Sequence, residues 1–135
     1  MSEPTIERVY ETVLYGNDLR AMTRFYADAL GLRLVQGPGE LAAAFRVTDG
    51  AVLLVFDPSR ASAPGREVPS HGATGAGHVA FAVPDGALER WRERLESLGI
   101  EIEREVTWNR GGRSLYVRDP AGNSVELTED ELWPA

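Results

Sequence analysis

The segment GHVAFAVPDGALERWRERLESLGI, residues 77–100, contains the pattern that decides the fold. Its first part, His78–Val83, is apolar and short, and we interpret it as a β-strand. Pro84-Asp85 predicts the start of a helix, and Gly99 predicts its end. Large apolar side chains recur at helical spacing along one face of that helix: Leu88, Trp91, Leu95 and Leu98. The segment therefore predicts a strand followed by an amphipathic helix.

The same pattern occurs near the start of the chain. Glu11 to Gly31 spans 20 residues, compared with 21 from His78 to Gly99, and both helices end on Leu-Gly followed by an aliphatic residue. Three strand-like segments follow each helix: LRLVQ, LAAAFRV and AVLLVF in the first case, and IEIEREV, RSLYVR and NSVELT in the second. The matched order of five elements predicts a duplication of two βαβββ modules.

We expect one domain of residues 1–135, a size that allows a substantial core. Module one covers about residues 6–57, and module two covers about residues 78–128. The linker, residues 58–77, is rich in Pro, Gly and Ser and lacks apolar periodicity. Such a segment is typical of a mobile connection or of a functional lid. A short C-terminal tail, residues 129–135, completes the chain.

Composition excludes several classes of function. A net charge of -7 argues against nucleic-acid binding, which calls for a basic surface. No run of 18 apolar residues exists, so we expect no membrane span. The chain has no cysteine, and its N-terminus, MSEPTIERVYE, lacks the basic and apolar regions of a signal peptide. These features favour a cytoplasmic protein.

The segment LYVRDPAGNSVEL, residues 115–127, predicts a hairpin. Asp119-Pro120-Ala121-Gly122 suits a type I turn between two strands. In the second strand, Glu126 faces away from its apolar neighbours, Val125 and Leu127. Taken alone, such a carboxylate is usually solvated.

The strand His78–Val83 favours a different interpretation of that face. Val79, Phe81 and Val83 would pack against the helices, whereas His78, Ala80 and Ala82 would share the other side. A solvated face would typically carry Lys, Glu, Thr or Arg instead. Small residues beside one His indicate the wall of a cavity, although a lone His could also be structural.

With paired βαβββ modules, a FYADALGL helix end, a GHVAF strand and a DPAGNSVEL hairpin, residues 6 to 128 resemble the vicinal oxygen chelate superfamily. That family includes glyoxalase I, extradiol dioxygenases and bleomycin-binding proteins. The resemblance implies an α+β fold in which both modules form a half-barrel sheet with helices on the convex face. It also implies a concave face that holds one divalent metal ion.

The resemblance implies a ligand set of Glu11, His78 and Glu126. His78 and Glu126 stand where the family places a His and a Glu, and Glu11 occupies the register of His78 in module one. The fourth family position falls at about Leu53 or Leu54, which are apolar. Two carboxylates and one imidazole suit Fe²⁺, Mn²⁺, Zn²⁺ or Ni²⁺. Three donors would leave coordination positions open for a substrate.

The resemblance also suggests catalytic residues. Tyr116 matches the substrate-contacting Tyr of the extradiol dioxygenase signature, but Thr107, Trp108 and Asn109 stand where that signature has a His. A four-residue loop at Asp119–Gly122 would turn Tyr116 away from Glu126, whereas a five-residue loop or a bulge would place both on one face. Glu126 or Glu11 could act as the base of an isomerase, with a metal-bound water as the alternative. His71 could be a ligand or proton shuttle, or simply an exposed loop residue.

We therefore expect a divalent-metal-dependent enzyme of the lyase/isomerase or dioxygenase type that chelates a small oxygen-bearing substrate. The alternative is a metal-free protein of the bleomycin-resistance type that sequesters a drug, with Trp108 and Trp133 as contacts. Trp133 could instead anchor the tail. Arg110 and Arg113, together with Trp108 and Asn109, could line the rim of the cavity and orient an anionic substrate. The resemblance also implies a homodimer.

Overall fold

The computed structural model describes residues 3–129 and 132–134. The chain divides into two compact units, Met1–Gly72 and Ala73–Ala135. Their boundary falls inside the predicted linker. Each unit is built from one of the two predicted modules.

Unit one contains a four-stranded mixed sheet in the order β1-β4-β3-β2. Its strands are β1 (Glu11–Tyr15), β2 (Arg33–Gln36), β3 (Ala42–Thr48) and β4 (Ala51–Phe56). Strand β1 pairs parallel with β4, and the other pairs are antiparallel. Helix α1 (Leu19–Thr23) begins at Asp18, whose side chain accepts a hydrogen bond from the backbone of Ala21, and it continues as a π-helical segment (Arg24–Ala29). A short helix, α2 (Pro58–Ala61), follows β4.

Unit two repeats this arrangement with the strand order β5-β8-β7-β6. Its elements are β5 (His78–Val83), α3 (Leu88–Ser97), β6 (Arg104–Thr107), β7 (Arg113–Arg118) and β8 (Ser124–Glu129). Strand β5 pairs parallel with β8, as β1 does with β4. The shared strand order confirms the predicted duplication, because independent folds would have no reason to adopt the same permutation.

One face of each sheet packs against the helix of its own unit. Helix α1 packs against β3 and β4, and helix α3 packs against β7 and β8. The buried side chains on these faces are Leu14, Met22, Tyr26, Phe45, Leu53 and Val55 in unit one, and Leu88, Leu95, Leu115, Val117, Val125 and Leu127 in unit two. In β5 the burial alternates as predicted, with His78, Ala80 and Ala82 exposed.

Three details differ from the sequence-based predictions. Helix α3 starts at Leu88 rather than at Pro84, because Gly86 has a φ of +82° and the backbone forms a turn from Pro84 to Ala87. Leu98, predicted to share the apolar face of helix α3, is 52% exposed at the C-terminal cap of that helix. Trp133 is 85% exposed, so the predicted anchoring of the tail through this side chain was also wrong.

The predicted linker is folded in its first part. It begins with helix α2, and the Arg66 guanidinium and the His71 backbone N–H both donate hydrogen bonds to the carbonyl of Ala61. Within the part of the chain that the structure describes, no helix has the length and apolar character needed to cross a membrane.

Candidate functional site

The loop between β7 and β8 sets the position of Glu126. It contains five residues, Asp119 to Asn123, because the Asp119 carboxylate accepts hydrogen bonds from the backbone N–H groups of Ala121 and Asn123 at 2.9 and 3.0 Å. The side chain of Asn123 in turn accepts a hydrogen bond from the backbone N–H of Gly77 at 2.7 Å. The loop is therefore tied to the residue that precedes β5, and it fixes the ends of three strands.

This loop length places Tyr116 directly opposite Glu126 in the β7–β8 pair, and Ala80 lies opposite Glu126 in the β5–β8 pair. Of the alternatives left open by the sequence, the five-residue loop is the one observed. We call the face of this sheet that lies opposite helix α3 the site face. Its residues include His78, Ala80, Ala82, Ser114, Tyr116, Glu126 and Thr128.

His78 and Glu126 are in contact on the site face. Nε2 of His78 lies 3.3 Å from Oε1 of Glu126, and the Glu126 side chain is only 7% exposed whereas that of His78 is 51% exposed. Nδ1 of His78 lies 3.0 Å from the carbonyl oxygen of Ser124. Since a carbonyl can only accept, Nδ1 carries a proton, and in a neutral imidazole Nε2 then presents its lone pair. That lone pair and Oε1 are both metal-binding donors.

The second oxygen of Glu126 is held by a hydrogen-bond chain that the sequence did not indicate. The Ser114 hydroxyl donates to Oε2 of Glu126 at 2.6 Å, and the indole N–H of Trp108 donates to the Ser114 hydroxyl at 2.8 Å. Ser114 is fully buried. It stands two residues before Tyr116 and so shares its face, but a serine in a strand has no distinctive sequence signal.

Tyr116 is the third polar group beside Glu126. Its ring stacks with that of His78, with centroids 6.4 Å apart and an interplanar angle of 22°. Burial, and after it the charge and hydrogen bond of Glu126, raises the pKa of the Tyr116 phenol above its ordinary value. The phenol is therefore neutral at physiological pH and can donate a hydrogen bond.

The separation of the two donors is compatible with a divalent metal. Two ligand atoms at about 2.1 Å from one ion stand roughly 3.0 Å apart at a right angle and roughly 3.4 Å apart at a tetrahedral angle. The 3.3 Å between Nε2 and Oε1 lies within that range. The Nδ1–carbonyl contact is the kind of interaction that orients a ligating His. His78 and Glu126 therefore fit half of a metal site.

Neither unit contains a complete ligand set by itself. Among all the residues that the structure describes, no three His, Asp or Glu side chains form a group that could hold one ion. Glu11 lies in unit one, exposed at the start of β1. Its partner in β4 is Val52, as the partner of His78 in β8 is Ser124. Leu54, two residues further along β4, holds the register that Glu126 has in unit two.

His71 lies in unit one and is half-buried, so it is not the exposed loop residue that was one of its two interpretations. Its Nδ1 lies 2.6 Å from the hydroxyl of Tyr15, and its ring contacts the ring of Phe56 edge-on at a centroid distance of 4.6 Å. These partners hold His71 against the sheet of unit one.

Arg113 is not a rim residue. It forms ion pairs with Glu89, Glu105 and Glu129, and its register in β7 places it on the helix side of the sheet. Trp108, in contrast, is 38% exposed while its N–H points to Ser114. Of the predicted rim residues, Trp108 is thus the one with a contact to the site face.

A family model matches most of the chain. The chain belongs to the glyoxalase/bleomycin resistance protein/dioxygenase superfamily, whose model covers residues 8–127. A crystal structure described as lactoylglutathione lyase from Agrobacterium tumefaciens is 40% identical in sequence, with a TM-score of 0.89 over 96% of this chain and 98% of that one. This similarity confirms the predicted fold class.

Curated relatives carry dioxygenase names. A Bacillus subtilis protein named provisionally as the ring-cleaving dioxygenase MhqE is 32% identical over 92% of this chain. Biphenyl-2,3-diol 1,2-dioxygenase 3 of Rhodococcus globerulus is 36% identical over 93% of this chain. The chain spans 42% of the length of the first relative and 64% of the second. The superfamily thus includes both lyase and dioxygenase relatives of this chain.

Proposed function

We propose that this chain is a divalent-metal-dependent enzyme that acts on a small substrate with neighbouring oxygen atoms. The observation that carries the proposal is the contact between Nε2 of His78 and Oε1 of Glu126, in which two metal-binding atoms face each other at 3.3 Å. Fe²⁺, Mn²⁺, Zn²⁺ and Ni²⁺ are the candidate ions, and Glu11 stays the third ligand that the family resemblance implies.

The protein residues have distinct proposed roles. A bound metal ion would supply Lewis-acid polarisation of a substrate oxygen. Tyr116, whose neutral phenol lies beside Glu126, would contact the substrate. Ala80 and Ala82 are exposed and leave room above the sheet. Proton transfer falls to Glu126 or Glu11. We assign no role to His71, because its Nδ1 is engaged with the hydroxyl of Tyr15 at 2.6 Å and its ring packs on Phe56.

We favour lyase or isomerase chemistry. The lactoylglutathione lyase of Agrobacterium tumefaciens matches this chain over nearly the full length of both proteins. The set of two carboxylates and one imidazole also differs from the two imidazoles and one carboxylate of non-haem iron oxygenases. In unit one, the apolar Leu54 occupies the register that Glu126 has in unit two, so the fourth ligand of the family is missing. We therefore do not propose that the chain is glyoxalase I itself.

Ring cleavage is a second candidate. It is supported by Tyr116, which shares a face with Glu126 as the extradiol dioxygenase resemblance requires, and by the two dioxygenase relatives. Lactoylglutathione and biphenyl-2,3-diol, the compounds in the names of the relatives, can be assayed side by side. Consumption of dioxygen with the diol would favour ring cleavage, and turnover without dioxygen would favour a lyase.

The metal requirement is tested by measuring metal content by mass spectrometry on protein purified without chelator. We expect about one divalent ion per chain in the wild type and a loss of that ion in His78→Ala and Glu126→Gln. Glu103→Gln is the matched control, because Glu103 pairs with Arg118 rather than with the site face. A wild type that binds none of the four ions would overturn this proposal and favour the metal-free drug-binding alternative.

We further propose a homodimer and a cytoplasmic location. The homodimer rests on the family resemblance, and the location rests on composition. Light scattering after size-exclusion chromatography measures the first directly, with a mass of twice 14.8 kDa as the expected result.

A further inference from the structure

Trp108, Ser114 and Glu126 form a linear hydrogen-bond chain that runs from the loop after β6 to the carboxylate on the site face. The indole N–H of Trp108 lies 2.8 Å from the Ser114 hydroxyl, and that hydroxyl lies 2.6 Å from Oε2 of Glu126. Trp108 is 38% exposed, whereas Ser114 and Glu126 are buried. This hydrogen-bond chain therefore connects an accessible side chain with a buried carboxylate.

The direction of this chain follows from the chemistry of its members. An indole N–H can only donate and a carboxylate can only accept, whereas a hydroxyl does both. Ser114 also lies 2.9 Å from the hydroxyl of Thr128, but its single proton goes to the charged and closer acceptor, Glu126. Trp108 thus fixes the rotamer of Ser114, and Ser114 fixes one oxygen of Glu126.

We propose that Ser114 and Trp108 are positioning residues for Glu126. By holding Oε2, they direct Oε1 towards Nε2 of His78 and restrict the rotamers of the carboxylate before an ion arrives. This inference rests on the proposed metal site. Groups that orient metal ligands in this way typically change metal affinity by about 10- to 100-fold when they are removed.

The test is a double-mutant cycle on the affinity for Mn²⁺ or Ni²⁺, measured by calorimetry. Ser114→Ala is expected to weaken binding by roughly 10- to 100-fold, and Trp108→Phe by a smaller factor. Because Trp108 acts through Ser114, Trp108→Phe should cause no further loss in the Ser114→Ala background. Ser97→Ala and Trp91→Phe on helix α3 are the matched controls and should bind as the wild type does. Equal losses from Trp108→Phe in both backgrounds would overturn the inference.

A second measurement needs no metal and separates this inference from the proposed function. The nuclear magnetic resonance signal of the Trp108 indole N–H should shift in Glu126→Gln, because Ser114 then donates to a neutral acceptor. The shift should vanish when Glu126→Gln is made in the Ser114→Ala background. A wild type that binds no metal but shows this shift would refute the metal site alone. If Glu126→Gln leaves the chemical shift of the Trp108 indole N–H unchanged, the hydrogen-bond chain is refuted, whether or not the protein binds a metal.

Discussion

Tyr116 stands directly opposite Glu126 across the β7–β8 pair, and His78 contacts Glu126 from β5. The arrangement depends on the length of one hairpin loop, because a strand shifted by one residue would turn its side chains to the other face. The five-residue loop at Asp119–Asn123 therefore assembles the histidine, the carboxylate and the phenol on one surface.

Tyr116 should lose its phenol proton at a higher pH than an ordinary tyrosine does. Its pKa is raised by burial first and then by the charge of Glu126. Because the folded protein holds this proton more tightly than the unfolded chain, the associated stability is fully present below the ordinary pKa of about 10 and is lost as the pH rises through the raised value. Ultraviolet absorbance of the phenolate measures the titration.

Two variants test whether this late titration step belongs to Tyr116. Tyr116→Phe should remove the late step from the titration of the four tyrosines. Glu126→Gln should move the step towards the ordinary value, because it removes the nearby charge. If Tyr116→Phe removed only absorbance that titrates at the ordinary tyrosine pKa, the assignment would be contradicted.

Asn123→Ala should destabilise the protein by about 2 kcal/mol or more. The Asn123 side chain is buried and joins Asp119 at 2.9 Å to the backbone N–H of Gly77 at 2.7 Å, so its loss leaves buried polar groups without these partners. Denaturant unfolding measures the change. Asn109→Ala, at an exposed loop position, is the control and should stay within about 0.5 kcal/mol of wild type. Equal effects of the two substitutions would show that the loop is not held as described.

Ala80→Leu should block the site without unfolding the protein. Ala80 is exposed and lies opposite Glu126 in the β5–β8 pair. A larger side chain there adds no buried volume but covers the carboxylate, so unfolding should change by less than about 0.5 kcal/mol while metal or substrate affinity falls. Wild-type affinity in this variant would place the binding site elsewhere.

Glu129→Gln should reduce the pH dependence of stability on the acid side. The backbone N–H of Gly86, followed by the charge of Arg113, lowers the pKa of Glu129 from 4.5. A lowered pKa contributes stability that is present above the unfolded value and is lost as the pH falls through the folded value. The difference between variant and wild type in denaturant midpoint should therefore be larger at neutral pH than at acid pH. An equal difference at both would refute this role for Glu129.

The fold could be predicted because the apolar residues follow helical and strand periodicity, and the same order of elements occurs twice in the sequence. The strand His78–Val83 has the bounds that its apolar pattern predicted, and both helices end at the predicted Leu-Gly positions. The start of helix α3 lies four residues after the predicted Pro84, because the left-handed conformation of Gly86 depends on a turn rather than on periodicity. The π-helical segment at Arg24–Ala29 likewise has no signal in the spacing of apolar residues.

The candidate site was only partly predictable. His78 and Glu126 were singled out from the small residues beside His78 and from the family resemblance; the structure brings them into contact, and their role as ligands stays a prediction. The placement of Tyr116 remained open because Asp119-Pro120-Ala121-Gly122 suits a four-residue turn. The propensity of Asp for turns does not say whether its side-chain hydrogen bonds extend the loop to Asn123. Ser114 was missed for a related reason, since its role depends on cross-strand register.

The most direct test of the central claim is anomalous diffraction from crystals of the protein loaded with Mn²⁺ or Ni²⁺. We predict one anomalous peak per chain at about 2.1 Å from both Nε2 of His78 and Oε1 of Glu126. A loaded crystal with no peak between His78 and Glu126 would contradict the metal site, and with it the enzymatic function proposed for this chain.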